Sequence, residues 1–278
     1  MLLALTAVSG CGSSWPEGDV RIGVKVDQPG TGYAEQGYPP YSGFDIRVSE
    51  RAAEALGKKA DFKSVESAVR QVSLDGEHPV DLVVATYSIN NERLTGSNGE
   101  PAHDFAGPYA ITFQGFMVKK GGPAVMSLSD LDGATVCVWA GTTSEATIKR
   151  EAPHMVPVQK RTATDCIDEL KAGRVRAVST DQLILYGFSQ VHKDLEVVPD
   201  VTLSDAQYYG IGLPKGHREA CGKLREALKE YVRSADWTRD FKDQLPSVAT
   251  AEPGKWETGH KPTETQIDKF SCRDKVGS

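Results

Sequence analysis

Short apolar runs alternate along the chain with segments of helical periodicity, which predicts an α/β fold. Residues 19–27 alternate apolar and polar side chains like a first strand, and residues 42–57 follow as a helix closed by a glycine. A strand near 60–65, a helix around 69–74 and a buried-type strand at 82–85 come next. Such alternation predicts a parallel sheet, whose ligands bind beyond the carboxyl ends of its strands.

The second half of the chain repeats this alternation before it becomes helical. The predicted elements are strands at 111–118, 134–139, 175–181 and 207–216, and helices at 164–173, from 182 onward, at 218–234 and at 235–245. After Pro253 the sequence is polar and poorly patterned, so we expect a loosely held tail that Cys272 ties down.

One strand ends in small hydroxyl residues and is followed by an arginine. The apolar run at 82–85 leads into Thr86 and Ser88, and Glu92-Arg93 comes a few residues later. Hydroxyls and free backbone N–H groups at a strand end donate hydrogen bonds, and a guanidinium adds a two-pronged charged contact. The stretch is suited to holding a carboxylate, although spacing alone leaves a structural arginine on a turn equally open.

Two further strands end in polar groups. Residues 134–139 lead into Gly141-Thr142-Thr143 at the start of a helix, where N–H groups and hydroxyls form an anion site. Capping of that helix by Thr142 or Thr143 is the alternative, and capping and ligand contact are compatible. The strand at 175–181 ends in Asp181, which suits the N-cap of the helix that follows.

Composition restricts the partners. The chain has 278 residues, enough for one large domain or two smaller ones, and a net charge of −6 that argues against nucleic acid. The sequence has no CxxC motif, no Cys/His cluster with zinc spacing and no nucleophile motif of a hydrolase. We therefore predict neither a metal site nor a cofactor.

The cysteines and the N-terminus suggest export. Residues 1–14 are apolar, then small, then polar after Cys11, which resembles a bacterial lipoprotein signal with Cys11 as the lipidated residue. The basic segment expected before such a signal is missing, and a frayed apolar N-terminus is the alternative. The other four cysteines, an even number in an exported chain, suggest two disulfides with three possible connectivities.

Residues 81–93 and 105–109 together resemble the signature D-hydrophobic-hydrophobic-x-x-x-[ST]-I-[TN]-x-E-R … F-x-x-P-Y of the polar amino-acid solute-binding proteins, family 3, the extracytoplasmic receptors of ABC importers. The resemblance implies that Arg93 holds the α-carboxylate of an amino acid, with Thr86 and Ser88 as neighbouring donors. Residues 95–101 are longer than usual, and we interpret them as a surface loop.

The resemblance extends from about residue 21 to 245 and implies the two-lobe periplasmic-binding-protein type II fold with two hinge crossings. Thr142 and Thr143 would donate to the ligand carboxylate, and Asp181 would accept from its ammonium. The implied organisation is a signal and tether at 1–18, one lobe at 19–117 plus 209–250, a second lobe at 118–208 and a tail at 251–278. The pairs Cys137–Cys166 and Cys221–Cys272 would each stay within one lobe.

Side-chain selectivity would come from other positions. Lys25 ends the first strand where relatives that bind basic amino acids carry an acid, so a lysine favours an acidic ligand. The order of preference is glutamate, then aspartate, then glutamine or asparagine. Gln28 and Arg70 are weaker candidates for side-chain contacts. The alternative for Lys25 is a surface lysine on an edge strand.

The resemblance implies a monomeric, lipid-anchored receptor on the outer face of the cytoplasmic membrane, which closes its lobes on an amino acid and delivers it to ABC permease subunits. An amino-acid sensor coupled to a membrane signalling partner is one alternative. A dehydratase-like enzyme on the same fold is another, but the histidines lie in loops or near termini and none pairs with a nucleophile motif.

Overall fold

The computed structural model describes residues 15–77, 79–97 and 99–276, so the predicted lipidation residue Cys11 lies outside the described part of the chain. Strands and helices alternate as predicted, except that two short 3-10 turns replace the helix expected around 69–74. The strands are β1 (Val20–Val24), β2 (Asp27–Gln28), β3 (Gly32–Ala34), β4 (Tyr41–Ser42), β5 (Ala60–Ser64), β6 (Leu82–Val83), β7 (His103–Lys119), β8 (Thr135–Trp139), β9 (Val156–Lys160), β10 (Ala177–Asp181), β11 (Leu195–Val197) and β12 (Leu203–Pro214). The helices are α1 (Phe44–Ala55), α2 (Asn91–Thr95), α3 (Thr143–Glu151), α4 (Ala163–Lys171), α5 (Gln182–Val191), α6 (Arg218–Arg233), α7 (Ala235–Gln244), α8 (Pro246–Ala251), α9 (Trp256–His260) and α10 (Glu264–Phe270).

The main sheet has nine strands in the order β5-β1-β6-β12-β7-β10-β8-β9, with β11 beside β7. β5, β1 and β6 are parallel to one another, and so are β10, β8 and β9. The long strands β7 and β12 run antiparallel to each other between these two groups. The parallel sheet predicted from the sequence therefore describes each half, and an antiparallel pair joins the halves.

Each half of the sheet has its own hydrophobic core. In the first half, Phe44 of α1 packs against Trp237 and Phe241 of α7, with ring centroids 5.5 Å and 5.2 Å apart. In the second half, β8 directs alternate side chains to opposite faces, so Val136 and Val138 enter one cluster while Cys137 and Trp139 enter the other. The two cores leave the ends of the parallel strands facing each other across the middle of the molecule.

Both disulfides form the expected pairs. Cys137 of β8 bonds to Cys166 of α4, and Cys221 of α6 bonds to Cys272 just after α10. Each bond joins elements within one half of the molecule.

The C-terminal segment is ordered, so the expectation of a loosely held tail is wrong. Residues 246–270 form α8, α9 and α10, and Ile267 is completely buried. Ser271 Oγ accepts from Gly107 N at 2.9 Å, and His260 Nδ1 donates to Ile111 O at 2.7 Å. A few buried apolar residues and polar contacts to β7 stabilise the segment, and hydrophobic periodicity does not reveal such contacts.

Candidate ligand-binding site

A buried cavity lies between the two halves of the molecule, at the ends of β8 and β10 and beside the segment that follows β6. Every predicted ligand residue except Lys25 lines it. The lining residues are Gln28, Ser67, Arg70, Thr86, Ser88, Arg93, Trp139, Thr142, Thr143, Ser144, Thr180, Asp181 and Ile184. The carboxyl ends of parallel strands converge here, as the α/β architecture predicts.

Arg93 reaches the cavity from α2, whose N-terminus is capped by Asn90. Its Nη1 donates to Ser88 O at 2.6 Å, and its guanidinium lies over the Tyr87 ring at 4.4 Å from the centroid. Burial lowers the pKa of the Arg93 guanidinium from its ordinary value because the low-dielectric surroundings disfavour the charge. A backbone carbonyl and an aromatic face fix the position of this cation.

A second arginine, Arg70, also lies over the Tyr87 ring, with its guanidinium 5.0 Å from the ring centroid. Its Nη1 donates to Ala85 O at 2.8 Å, and its Nη2 donates to Gly141 O at 2.8 Å. Burial lowers the pKa of Arg70 to about 10, and repulsion from Arg93 adds to the shift. Among the residues that the structure describes, neither guanidinium forms a salt bridge with a carboxylate.

The carboxylate of Asp181 supplies the opposite charge. Asp181 ends β10 and occupies the N-cap position of α5, but its side chain makes no capping hydrogen bond. Its Oδ2 accepts from Tyr209 Oη at 2.6 Å, while no donor among the described residues bonds its buried Oδ1. Burial raises the pKa of Asp181 to about 6, against the opposing effects of the Tyr209 hydrogen bond and of Arg70 and Arg93. The carboxylate is therefore available to a donor in the cavity.

Asp45 of α1 shapes the wall of the cavity without lining it. Its two carboxylate oxygens accept from Thr86 N and Tyr109 Oη, both at 2.8 Å. Thr86 has a φ of 46°, a left-handed conformation that is unusual for a residue other than glycine. The bond to Asp45 stabilises this conformation and directs Thr86 Oγ1 toward Gln28 Oε1, 3.1 Å away. Burial raises the pKa of the Asp45 carboxyl to about 7.

The second half contributes hydroxyls around the start of α3. Thr142 occupies the N-cap position, but its hydroxyl donates to Trp139 O at 2.7 Å and does not cap the helix. The prediction of side-chain capping is therefore wrong for Thr142. Ser144 Oγ donates to Thr180 Oγ1 at 3.3 Å, which joins α3 to the end of β10.

Lys25 lies near the cavity but not in its lining. The residue is only 3% exposed, and its ammonium pairs with Asp27 Oδ1 at 3.2 Å. Burial lowers the pKa of Lys25, and the positive charge of Arg70 acts in the same direction. The alternative of a surface lysine on an edge strand is wrong, because β1 lies between β5 and β6 and Lys25 is buried.

Several lining residues were not predicted from the sequence, namely Ser67, Trp139, Ser144, Thr180 and Ile184. The sequence predicts Trp139 only as a strand residue, although its place at the strand end next to a glycine turn indicates a position at the site. Ser67 lies three residues before Arg70, and this spacing places both side chains on one side of a helical turn. The prediction of Arg70 as a ligand residue therefore also indicates Ser67.

The two halves touch each other around the cavity. Gly141, with a φ of 74°, approaches the first half so closely that a Cβ atom there would lie 2.5 Å from Ser67 O and from Ala68 Cα. At the rim, Arg161 Nη1 lies 2.5 Å from Glu66 Oε1. The structure is thus a closed arrangement in which the second half covers the two arginines.

Chemically, the lining combines two cations, one anion and several hydroxyls. This set can hold a small molecule that carries both carboxylate and ammonium groups. Within the described residues there is no cluster of three or more potential metal ligands. No described helix combines the length and apolar character needed to cross a bilayer.

Comparison with known proteins agrees with this description. Residues 20–242 match the family model of the bacterial extracellular solute-binding proteins, family 3. The chain is 32% identical over 241 residues to the glutamate-binding protein GluB of Corynebacterium glutamicum, covering 82% of this chain and 79% of GluB. It is 28% identical over 263 residues to the ABC transporter glutamine-binding protein GlnH of Bacillus subtilis, covering 87% and 93%. An ancestral arginine-binding protein bound to arginine superposes with a TM-score of 0.71 at 28% identity, covering 82% of this chain and 98% of that one.

The family match spans most of the chain, and the architecture is the two-lobe α/β fold of periplasmic-binding-protein type II with two hinge crossings. The chain therefore belongs to the bacterial extracellular solute-binding proteins, family 3, and it is an amino-acid-binding receptor of an ABC importer and not an enzyme.

Proposed function

We propose that the receptor binds an acidic amino acid, with glutamate preferred, in the cavity between its lobes. Arg93 holds the α-carboxylate, with Thr86, Ser88 and the start of α3 as neighbouring donors. Asp181 accepts from the α-ammonium through Oδ1, the oxygen that no described donor bonds. This assignment is supported by the lining of the buried cavity, which contains both the Arg93 guanidinium and the Asp181 carboxylate. The two groups form no salt bridge with each other, so both are available to a ligand.

The charge balance of the lining favours an acidic ligand over an amide or a basic one. Arg70 and Arg93 are two buried cations, whereas Asp181 is the single anionic side chain in the lining. An acidic amino acid carries two carboxylates and one ammonium, so each of its charges meets an opposite charge. Glutamine would leave Arg70 without a counter-ion, and arginine would add a further cation beside it.

Arg70 replaces Lys25 as the main candidate for the side-chain carboxylate. Arg70 lines the cavity, while Lys25 is already paired with Asp27. Lys25 retains a secondary role, because its charge adds to the positive potential at the Arg70 end of the cavity. The relatives support this order of ligands only in part, since GluB is named for glutamate and GlnH for glutamine.

Closure follows from the placement of the charges on opposite lobes. Arg70 and Arg93 belong to the first half of the sheet, and Asp181 belongs to the second. A ligand that bonds all three groups binds the closed state better than the open one and shifts the population toward it. We assign residues 19–117 and 209–250 to one lobe and 118–208 to the other, with the crossings in β7 and β12. Residues 251–276 of the tail pack on the first lobe, where Ile267 is part of the hydrophobic core.

We further propose that the receptor acts as a monomer, is anchored through Cys11 to the outer face of the cytoplasmic membrane, and presents its closed form to permease subunits. Acylation of Cys11 is testable by mass spectrometry of membrane-extracted protein, and Cys11→Ala is expected to release the receptor into the soluble fraction.

Calorimetry with free L-glutamate, L-aspartate, L-glutamine, L-asparagine and L-arginine tests the ligand assignment. Glutamate is expected to bind most tightly, and Arg93→Ala is expected to abolish its binding. Arg47→Ala is the matched control, because this arginine is exposed and pairs with Glu50 of its own helix, α1. Absence of binding to all five amino acids would overturn the proposal, and a preference for glutamine would overturn the acidic specificity.

A further inference from the structure

Trp139 carries an unsatisfied hydrogen-bond donor in the wall of the cavity. It is the last residue of β8, it is 1% exposed, and it lines the same space as Arg70 and Asp181. The indole Nε1–H can only donate, and it has no hydrogen-bond partner among the described residues. A buried donor left in this state is unfavourable, because it has lost its hydrogen bond to water without gaining another.

The fold satisfies the other fully buried tryptophan. Trp237 Nε1 donates to Tyr109 O at 2.8 Å within the core of the first lobe. An unpaired indole is therefore a local property of Trp139, and it occurs where the side chain borders the cavity.

The topology places Trp139 at the Arg70 end of the cavity. β9 pairs with β8 so that Lys160 lies beside Trp139, and the next residue, Arg161, contacts Glu66 of the first lobe. The turn after Trp139 packs against Ser67, whose buried Oγ also has no partner among the described residues. The end of β8 thus faces the segment 66–70 across the closed cleft.

We propose that the Trp139 indole N–H, together with Ser67 Oγ and the Arg70 guanidinium, binds the side-chain carboxylate of the ligand. These three donors would determine which amino-acid side chains the receptor accepts. This inference rests on the proposed function. Carboxylate oxygens accept bonds from all three donors, whereas an ammonium or guanidinium side chain offers no acceptor to the indole. Trp139 thereby selects for a side chain that ends in oxygen acceptors.

The test combines a variant with a direct observation of the indole proton. Trp139→Phe keeps the aromatic ring and removes Nε1–H, so glutamate affinity measured by calorimetry is expected to fall on the order of tenfold. Trp256→Phe, outside the cavity, is the matched control and is expected to leave the affinity unchanged. In a two-dimensional ¹H–¹⁵N spectrum of the native protein, the resonance absent from Trp139→Phe identifies the indole. Saturating glutamate is expected to move that resonance downfield and to slow its exchange with solvent.

The outcomes separate this inference from the proposed function. If the native protein binds glutamate while the Trp139 indole resonance stays in place, or if Trp139→Phe binds glutamate as tightly as the native protein, the subsite is refuted and the receptor function stands. If the native protein binds no acidic amino acid, the proposed function itself fails.

Discussion

Replacement of Arg70 by methionine tests whether a buried cation selects the ligand. Arg70→Met keeps an unbranched side chain of similar length and removes the charge that faces the cavity. The pKa of Arg70 is about 10 against an ordinary 12.5, so burial disfavours the charged form by roughly 3 kcal/mol. A ligand carboxylate that restored the ordinary value would recover this free energy. We therefore expect native discrimination between glutamate and glutamine on the order of 10²-fold.

Calorimetry of Arg70→Met with both ligands measures that discrimination. The affinity for glutamate is expected to fall by roughly 10²–10³-fold, because removal of one partner of a buried charge pair costs about 2–5 kcal/mol. The affinity for glutamine is expected to fall much less, so the ratio between the two approaches one. Thermal unfolding of the variant is a necessary companion measurement, since Arg70 also donates to Ala85 O and Gly141 O.

Two results would refute this reasoning. An equal loss of affinity for glutamate and glutamine would mean that Arg70 contributes structure or binds the amino-acid frame. An unchanged preference for glutamate would place the selective charge elsewhere, with Lys25 as the remaining buried candidate. Arg93→Met provides the comparison, because loss of the α-carboxylate contact is expected to weaken both ligands alike.

Three further predictions concern the ammonium contact, closure and stability. The pKa of Asp181 is about 6, so acidification neutralises this carboxylate in the free protein. Calorimetry is therefore expected to show about a tenfold loss of glutamate affinity between about pH 7 and 5. The Asp181→Asn variant, which has no carboxylate to protonate here, is expected to lack this pH dependence. Gly141→Ala places a Cβ atom 2.5 Å from the facing lobe and is expected to weaken glutamate binding and keep the lobes apart in small-angle scattering. Gly133→Ala, with a similar φ of 70° and no atom within 4 Å of its Cβ, carries the same backbone strain and is expected to close normally. Replacing Cys221 and Cys272 by serine removes a disulfide that spans 51 residues. Urea titration is expected to show a free energy of unfolding about 4 kcal/mol lower than that of the native protein. A decrease of less than about 1 kcal/mol would contradict this prediction.

The strand-end residues were accessible from the sequence for a physical reason. Asp181 ends an apolar strand, and Arg93 lies in the short helix that comes after another. The carboxyl ends of parallel strands meet at one edge of a sheet, so residues far apart in sequence enter one cavity. Periodicity predicted most of the strands and helices up to residue 245. Both disulfide pairs followed from the lobes that the family resemblance implies, because four cysteines alone leave three connectivities open.

The direction and the burial of individual side chains could not be predicted from the sequence. Lys25 follows β1 as Asp181 ends β10, yet Lys25 turns to Asp27 and not into the cavity. Trp139 is an apolar residue of a buried strand, and only the three-dimensional arrangement shows that it lines the cavity with its N–H unpaired among the described residues. The C-terminal helices depend on long-range contacts, such as His260 with Ile111, that leave no periodic pattern in the sequence.

A crystal structure of the complex with L-glutamate is the most direct test of the central claim. We predict the α-carboxylate at Arg93, the ammonium at Asp181 Oδ1 and the side-chain carboxylate at Arg70, with both lobes in contact with the ligand. Glutamate bound to one lobe alone, or with its ammonium away from Asp181, would contradict the account.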